Sequence, residues 1–333
     1  MASAAPRHHR AVASVRVAGL TAVLAAGLID ASVGARLPAA HAAAFGLRPA
    51  GAATPRPSPP EAAYRASIEE WRRQREAALR ADDGWLTLTG LFFLEEGINR
   101  VGTDPGADVV LPPGSAPANA GVIEYRDGRT IVRLAPGVEA TIDGKPVREA
   151  ELRPDTTPGY EVLSIGRLKL WVHASGTRRA IRVRDPESPL RRNFTGCRWF
   201  PIDERYRVTG RFRPFPSPRT VEVVNILGDV EQYTSPGVVE LTLEGTPVRL
   251  QALSAARGRL WIVFSDRTSG RETFRAARFV YTDPPAADGT VVVDFNKAYN
   301  PPCAFNPHTT CPLPPRSNRL PVRIEAGELD YRP

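Results

Sequence analysis

The stretch Ile123-Glu124-Tyr125-Arg126-Asp127-Gly128-Arg129-Thr130-Ile131-Val132-Arg133-Leu134 decides the fold class. Two short runs rich in apolar residues flank an Asp-Gly pair, the dipeptide that most readily takes the positive φ angles of a two-residue hairpin turn. The same punctuation returns at Asp143-Gly144, Pro158-Gly159, Ser175-Gly176, Glu244-Gly245 and Asp288-Gly289. Between these turns the apolar period is 2, which predicts strands at 123–125, 130–134, 140–142, 160–165 and 168–173 in a first half. A second set is predicted at 221–226, 238–243, 248–252, 260–264, 277–281 and 291–295. Residues 186–218, rich in Pro, Arg and aromatics, read as the join. The spacing suits an antiparallel sandwich or barrel.

Before Gly84 the period is helical. Ser58-Pro59-Pro60-Glu61 reads as an N-cap, prolines at the start of a helix and a capping-box acid. Tyr64, Ile68, Trp71, Ala78 and Leu79 then mark the face that packs on a sheet. The expected fold is all-β with one N-terminal amphipathic helix.

Further upstream, Arg7, His8, His9 and Arg10 precede a thirteen-residue apolar run at 17–29, too short to span a bilayer but suited to a signal peptide. Small-x-small sites stand at Ala40-His41-Ala42 and at Val33-Gly34-Ala35. Residues 1–42 are therefore expected to direct export to the periplasm or beyond, and no later segment reads as a transmembrane span. Residues 43–60 form a Pro/Ala-rich linker, 61–180 a helix with a first β-sandwich, and 181–333 a second β-rich domain.

The net charge of +8 does not argue for nucleic acid. Residues 1–60 hold six Arg and one acid, which leaves 38 bases against 35 acids in the rest of the chain. A nucleic-acid protein concentrates its basic charge on a folded face. The chain also lacks G-x-S-x-G, H-E-x-x-H, a phosphate-binding loop and the dinucleotide glycine fingerprint. No cofactor is implied.

Short elements at Asn99-Arg100-Val101-Gly102, Asp108-Val109-Val110-Leu111, Asp143-Gly144-Lys145-Pro146-Val147 and Leu163-Ser164-Ile165-Gly166 resemble forkhead-associated sandwiches. Those domains read phosphothreonine through a Ser-Arg-x-x-His element. Here the corresponding stretch is Ser115-Ala116-Pro117-Ala118-Asn119, so the resemblance implies the fold and not phosphopeptide binding. The C-terminal stretch Asp294-Phe295-Asn296-Lys297-Ala298-Tyr299-Asn300-Pro301-Pro302-Cys303, followed by Cys311-Pro312-Leu313-Pro314-Pro315, Asn318-Arg319-Leu320 and Glu325-Ala326-Gly327-Glu328, resembles an uncharacterised bacterial family, a domain of unknown function. That resemblance carries no activity.

Cys303 and Cys311 enclose His308. In an exported chain the first reading is a disulfide across a proline-rich loop; a metal site with His308 and a pair of free thiols are the alternatives, and no recognised zinc spacing is present. Arg178, Arg182 and Arg184 fall on one face of a strand with Ile181 and Val183 opposite, where they either clamp an anion or pair with Asp266, Asp294 or Glu325. His173 shares a strand face with Trp171 and Lys169 and reads as structural.

The candidate ligand surface comprises Arg182, Asp266, Arg278, Asp294, Asn296 and Asn300, polar residues gathered near strand ends. The expected partner is a small anionic ligand or an envelope macromolecule. The competing enzyme reading is a hydrolase using Asp294 and Glu328, with Arg182 or Arg278 anchoring an anionic substrate.

Overall fold

The computed structural model describes residues 59–332. The expected signal peptide, the Ser58 cap and residues 43–58 of the linker lie outside them. The first described element is α1 (Pro59–Arg80). Its opening prolines have no N–H to leave unpaired and a φ already set for the helix. Ile68 and Leu79 are buried on it, and Arg72 and Arg75 continue their stripe at spacings of four, three and four. Arg72 lies 4.9 Å from the centre of the Trp199 ring and Arg75 4.7 Å from that of Tyr299. The aliphatic stems are thereby covered while the cations meet π faces. Ala78, expected on this face, is exposed, because the stripe turns through Arg75 instead.

The first half then contributes β1 (Leu88–Phe93), β2 (Gly97–Gly102), β3 (Val109–Val110), β4 (Gly121–Arg126), β5 (Arg129–Leu134), β6 (Ala140–Ile142), β7 (Lys145–Pro146), β8 (Glu149–Glu151), β9 (Leu163–Ile165), β10 (Leu168–Ser175) and β11 (Arg178–Arg184). One sheet runs β1-β11-β10-β9-β6-β7 and the other β3-β2-β4-β5-β8. Val101, Val109, Ile123 and Val132 of one sheet, with Leu111 just past β3, bury against Leu163, Leu170, Val172, Ile181 and Val183 of the other. The two sheets form a β-sandwich. The turns form as their residues demand: φ is positive at both Asp127 and Gly128, Asp143 and Gly144, and Glu244 and Gly245.

After a short helix α2 (Pro189–Arg192), the second half contains β12 (Arg207–Val224), β13 (Val230–Leu243), β14 (Thr246–Ser254), β15 (Leu260–Phe264), β16 (Arg278–Tyr281) and β17 (Thr290–Asp294), ordered β16-β15-β14-β13-β12-β17. A reciprocal backbone bridge between Phe279 and Tyr299 ties β16 to the chain just past β17, at 2.9 Å for each bond. The sheet thus curls on itself around Leu250, Ile262, Phe264, Val280, Val293 and Phe295.

The join expected at 186–218 is strand from Arg207 onward. Pairing with β17 uses only residues 207–211, and Pro214, Pro216 and Pro218 come after it, where β12 has β13 alone as neighbour and the register shifts. An edge strand tolerates prolines because no donor is missing from a ladder there. The described residues all fall in one compact unit, and the boundary expected at 180/181 falls inside β11. Among the described residues no helix is long and apolar enough to cross a membrane.

Candidate functional site

At the end of β10 and β11 the sandwich meets the curled sheet, and α1 closes the third side. A cavity of about 950 Å³ lies between them, at the upper end of the range for small-molecule sites. One wall is aromatic. Tyr233, Trp261, Phe279, Tyr281 and Tyr299 line it, with Trp261 edge-on to Phe279 at 5.0 Å and Tyr281 stacked between Trp261 and Tyr299 at 6.1 and 6.2 Å. Strand parity explains the grouping. β15 and β16 pair Trp261 with Tyr281, and Phe279 and Tyr281 flank the buried Val280, so these three rings share the outward face while Ile262 and Val280 point into the core.

The opposite wall is polar. Cross-strand pairing sets Arg182 beside Trp171 and His173 beside Ala180, and the small Ala180 leaves the imidazole room. Pro154 bridges to Val172 and the Asp155 N–H donates to the Val172 carbonyl, which brings Asp155 alongside β10. Its carboxylate accepts from the Ala174 N–H at 3.1 Å and meets His173 Nδ1 at 2.7 Å. His173 Nε2 lies 2.9 Å from Thr310 Oγ. An ionised carboxylate can only accept, so Nδ1 carries the proton of a neutral His173 and the Thr310 hydroxyl donates to Nε2. Burial pushes the Asp155 carboxyl up, but the His173 hydrogen bond, the Ala174 N–H and the nearby Arg182 outweigh it and hold the group below the usual range.

Arg182 completes this wall. It is 5% exposed, and burial pushes its pKa down although Asp155 opposes the shift. Nη2 donates to Thr310 Oγ at 3.3 Å, Nη1 reaches Asp155 only at 3.9 Å, and Nε has no hydrogen-bond partner among the described residues. A guanidinium has five donors, so this one is poorly satisfied for its burial. His173, 8% exposed, and Arg182 both line the cavity.

Thr310 is delivered by the C-terminal segment, whose polar residues are fasteners. Asn306 Nδ2 donates to the carbonyls of Trp85 and Leu88 at 2.9 Å each, and so ties the loop to the sandwich. The Ile226 N–H donates to the Cys311 carbonyl and the Leu313 N–H to the Val224 carbonyl, which ties it to β12. Thr310 is held between these attachments. Residues 192–329 match the family described as protein of unknown function, DUF1684. This span holds the C-terminal signature and the whole curled sheet, while His173, Asp155 and Arg182 precede it.

No curated protein matches the chain. Among solved structures, an uncharacterized protein from Haloarcula marismortui, determined by solution NMR, is 30% identical, with 44% of this chain and 82% of that one covered at a TM-score of 0.37. The FhaA FHA domain, complexed with the intracellular domain of Rv3910, is 22% identical over 27% of this chain and 84% of its own, at a TM-score of 0.20. A structure from a study of phosphothreonine-dependent FHA domain interactions gives 22% identity over 27% and 79%, at the same TM-score of 0.20.

The structure does not show the expected disulfide. Cys197, Cys303 and Cys311 are free, and the Cys311 sulfur accepts the Cys303 N–H at 3.1 Å. The Cys303 thiol donates to the same sulfur, so its pKa is pushed up.

Of the six residues expected at a ligand surface, only Arg182 lines the large cavity. Arg278 and Asp266 form a wholly buried ion pair at 3.2 Å, and Asp266 also holds the Ile324 N–H at 2.7 Å. Asp294 accepts from the Tyr64 hydroxyl at 3.0 Å, Asn296 donates to that hydroxyl at 2.9 Å and to the Asp203 carbonyl at 2.7 Å. Together they fasten α1 to the curled sheet. Asp294 also borders a smaller cavity of about 210 Å³. Asn300 holds Glu328 through its N–H at 3.1 Å. The two carboxylates of the hydrolase reading therefore belong to separate networks. Of the three arginines expected to pair across the join, Arg178 does so, with Asp229 at 2.6 Å, whereas Arg182 meets Asp155 of its own sandwich at 3.9 Å and Arg184 lies over the Trp171 ring.

Asp155, Thr310 and the aromatic wall were not expected. Positions 155, 173 and 310 share no motif spacing. The usable signal was that His173 and His308 are the only histidines after residue 60, with His173 on the face that strand parity gives to Trp171.

Proposed function

We propose that the chain is an exported small-molecule-binding protein whose ligand is an organic acid with a planar or apolar body. The body lies against Trp261, Tyr281 and Tyr299, and the carboxylate faces the Arg182 guanidinium. The observation that carries this reading is the pairing, in one cavity, of an aromatic wall with a buried guanidinium that makes a single hydrogen bond among the described residues. A carboxylate supplies the bidentate acceptor geometry a guanidinium prefers, and rings supply area at low entropic cost. The leader at 1–42 supports export.

Calorimetry and thermal shift with the full chain test the binding. Phenylacetate is expected to bind and raise Tm, since a ligand that binds only the native state must do so. Phenylacetamide, with the same ring and no charge, should bind at least tenfold more weakly. Arg182→Ala should abolish the phenylacetate response. Equal responses to acid and amide, or an unchanged response in Arg182→Ala, would remove Arg182 from the reading. Export is checked apart from this, by the N-terminal mass of protein recovered from the periplasm: loss of residues through Ala42 or Ala35 is expected.

A further inference from the structure

We propose that Thr310, His173 and Asp155 form a catalytic relay and that the cavity hydrolyses carboxylic esters of the acids it binds; this deepens the proposed ligand reading and rests on it. The geometry has the order of a nucleophile, a base and an orienting carboxylate. Thr310 Oγ is 2.9 Å from Nε2 and Asp155 Oδ2 is 2.7 Å from Nδ1, both within the reach proton transfer needs. Asp155 is itself held by the Ala174 N–H at 3.1 Å, so the imidazole is fixed in the tautomer that accepts from the hydroxyl. His173, Thr310 and Arg182 all line the same cavity. A relay that served only to hold the loop would have no need of the open side, because Asn306 already secures it.

Arg182 gives the site its electrophilic partner. Its Nη2 is 3.3 Å from the attacking oxygen, which sets the guanidinium beside the reacting carbonyl of an ester seated in the cavity. A fixed cation there stabilises negative charge as it develops, without reorganising.

The reaction balances with water as the co-reactant. The Thr310 oxygen bonds to the ester carbonyl carbon, its proton passes to His173 Nε2, and the carbonyl electron pair moves to the oxygen facing Arg182. Collapse of that intermediate breaks the bond to the alkoxide, which leaves with the proton from Nε2. Water then adds to the threonyl ester, giving its proton to Nε2. The second collapse breaks the Thr310 ester bond and returns that proton to Oγ, so that a carboxylic acid leaves and the hydroxyl is restored. Asp155 is a positioning residue: it holds Nδ1–H and meets the imidazolium with a negative charge.

The test uses the full chain with 4-nitrophenyl phenylacetate as substrate and phenylacetate as binding probe. Hydrolysis above the buffer rate is expected, falling about a thousandfold in Thr310→Ala and His173→Gln, while Thr310→Ser retains it. Asp155→Asn should lower kcat by a similar factor with KM unchanged. An alkyl fluorophosphonate should label the wild type on Thr310, read by peptide mass, and not Thr310→Ala. Phenylacetate binding should survive in Thr310→Ala, which shows that the variant is folded and its cavity intact. Absence of hydrolysis alongside intact phenylacetate binding overturns the relay and leaves the ligand reading standing. Activity lost in His173→Gln but kept in Thr310→Ala overturns Thr310 as nucleophile. Failure of phenylacetate to bind the wild type takes down the ligand reading first.

Discussion

Arg182 and Arg278 are both buried arginines on strands, each within reach of an aspartate, and they live in opposite surroundings. The Arg278 guanidinium reaches Asp266, Thr268 and the carbonyls of Ile324 and Ala326. Among the described residues Arg182 makes one hydrogen bond, and it faces a cavity. Both carry a desolvation penalty. At Arg278 the partners are already in the protein, so the residue serves to pin the chain at 324–326 against the curled sheet. At Arg182 they are mostly lacking, and the residue is left able to receive something. Partner count, rather than charge or depth of burial, separates a fastener from a site.

The largest expected effect breaks the fastener. Arg278→Met leaves Asp266 charged and buried with no cation, which costs about 3–5 kcal/mol by analogy with other broken buried pairs. Urea denaturation should show the midpoint falling with the slope unchanged. Arg182→Met should change stability by about 1 kcal/mol or less, since no fully desolvated partner is stranded. Equal losses in the two variants would erase the distinction. A smaller effect is expected at the junction of α1 with the curled sheet. Tyr64→Phe deletes the hydroxyl that donates to Asp294 and accepts from Asn296. The loss should be about 1–3 kcal/mol, because a buried amide and carboxylate each lose a partner. Faster hydrogen exchange confined to the helix would locate it.

The fold was legible because its signals are local. Asp127-Gly128 dictates a turn with no help from elsewhere, and the alternation of 130–134 dictates which side chains enter the sandwich. The site was not legible, because its members meet only through tertiary contacts. Asp155 is placed by an isolated bridge to Val172, and Thr310 by Asn306 reaching over two hundred residues back to Trp85. The polar residues of the C-terminal signature drew attention to themselves by type. Asp294 and Asn296 illustrate why type misleads: short polar side chains bond neighbouring backbone and one another as readily as they bond ligands, and here Asp294 accepts from the Asn296 N–H at 3.1 Å. The prolines of β12 misled in the opposite sense, since composition alone does not reveal that an edge will be free.

The smallest effect expected sharpens the comparison with a third buried charge. Glu328 is 1% exposed; burial pushes its carboxyl above the usual range, and Arg75 at 3.5 Å and the Asn300 N–H only partly oppose this. Between the unfolded value and the raised folded value, the native state therefore binds more protons than the unfolded chain. This contribution to stability is full at pH values below about 4.5, the unfolded value, and is lost as pH rises through the folded one. Glu328→Gln removes the charge at every pH. Relative to wild type, the variant should be more stable near pH 7, by an amount that shrinks toward zero as the pH falls to about 4.5. Urea midpoints for the two proteins from pH 4.5 to 7.5 measure this directly. A variant that is less stable at neutral pH, with a deficit growing as pH rises, would place Glu328 with Asp266 as a charge its partners fully hold.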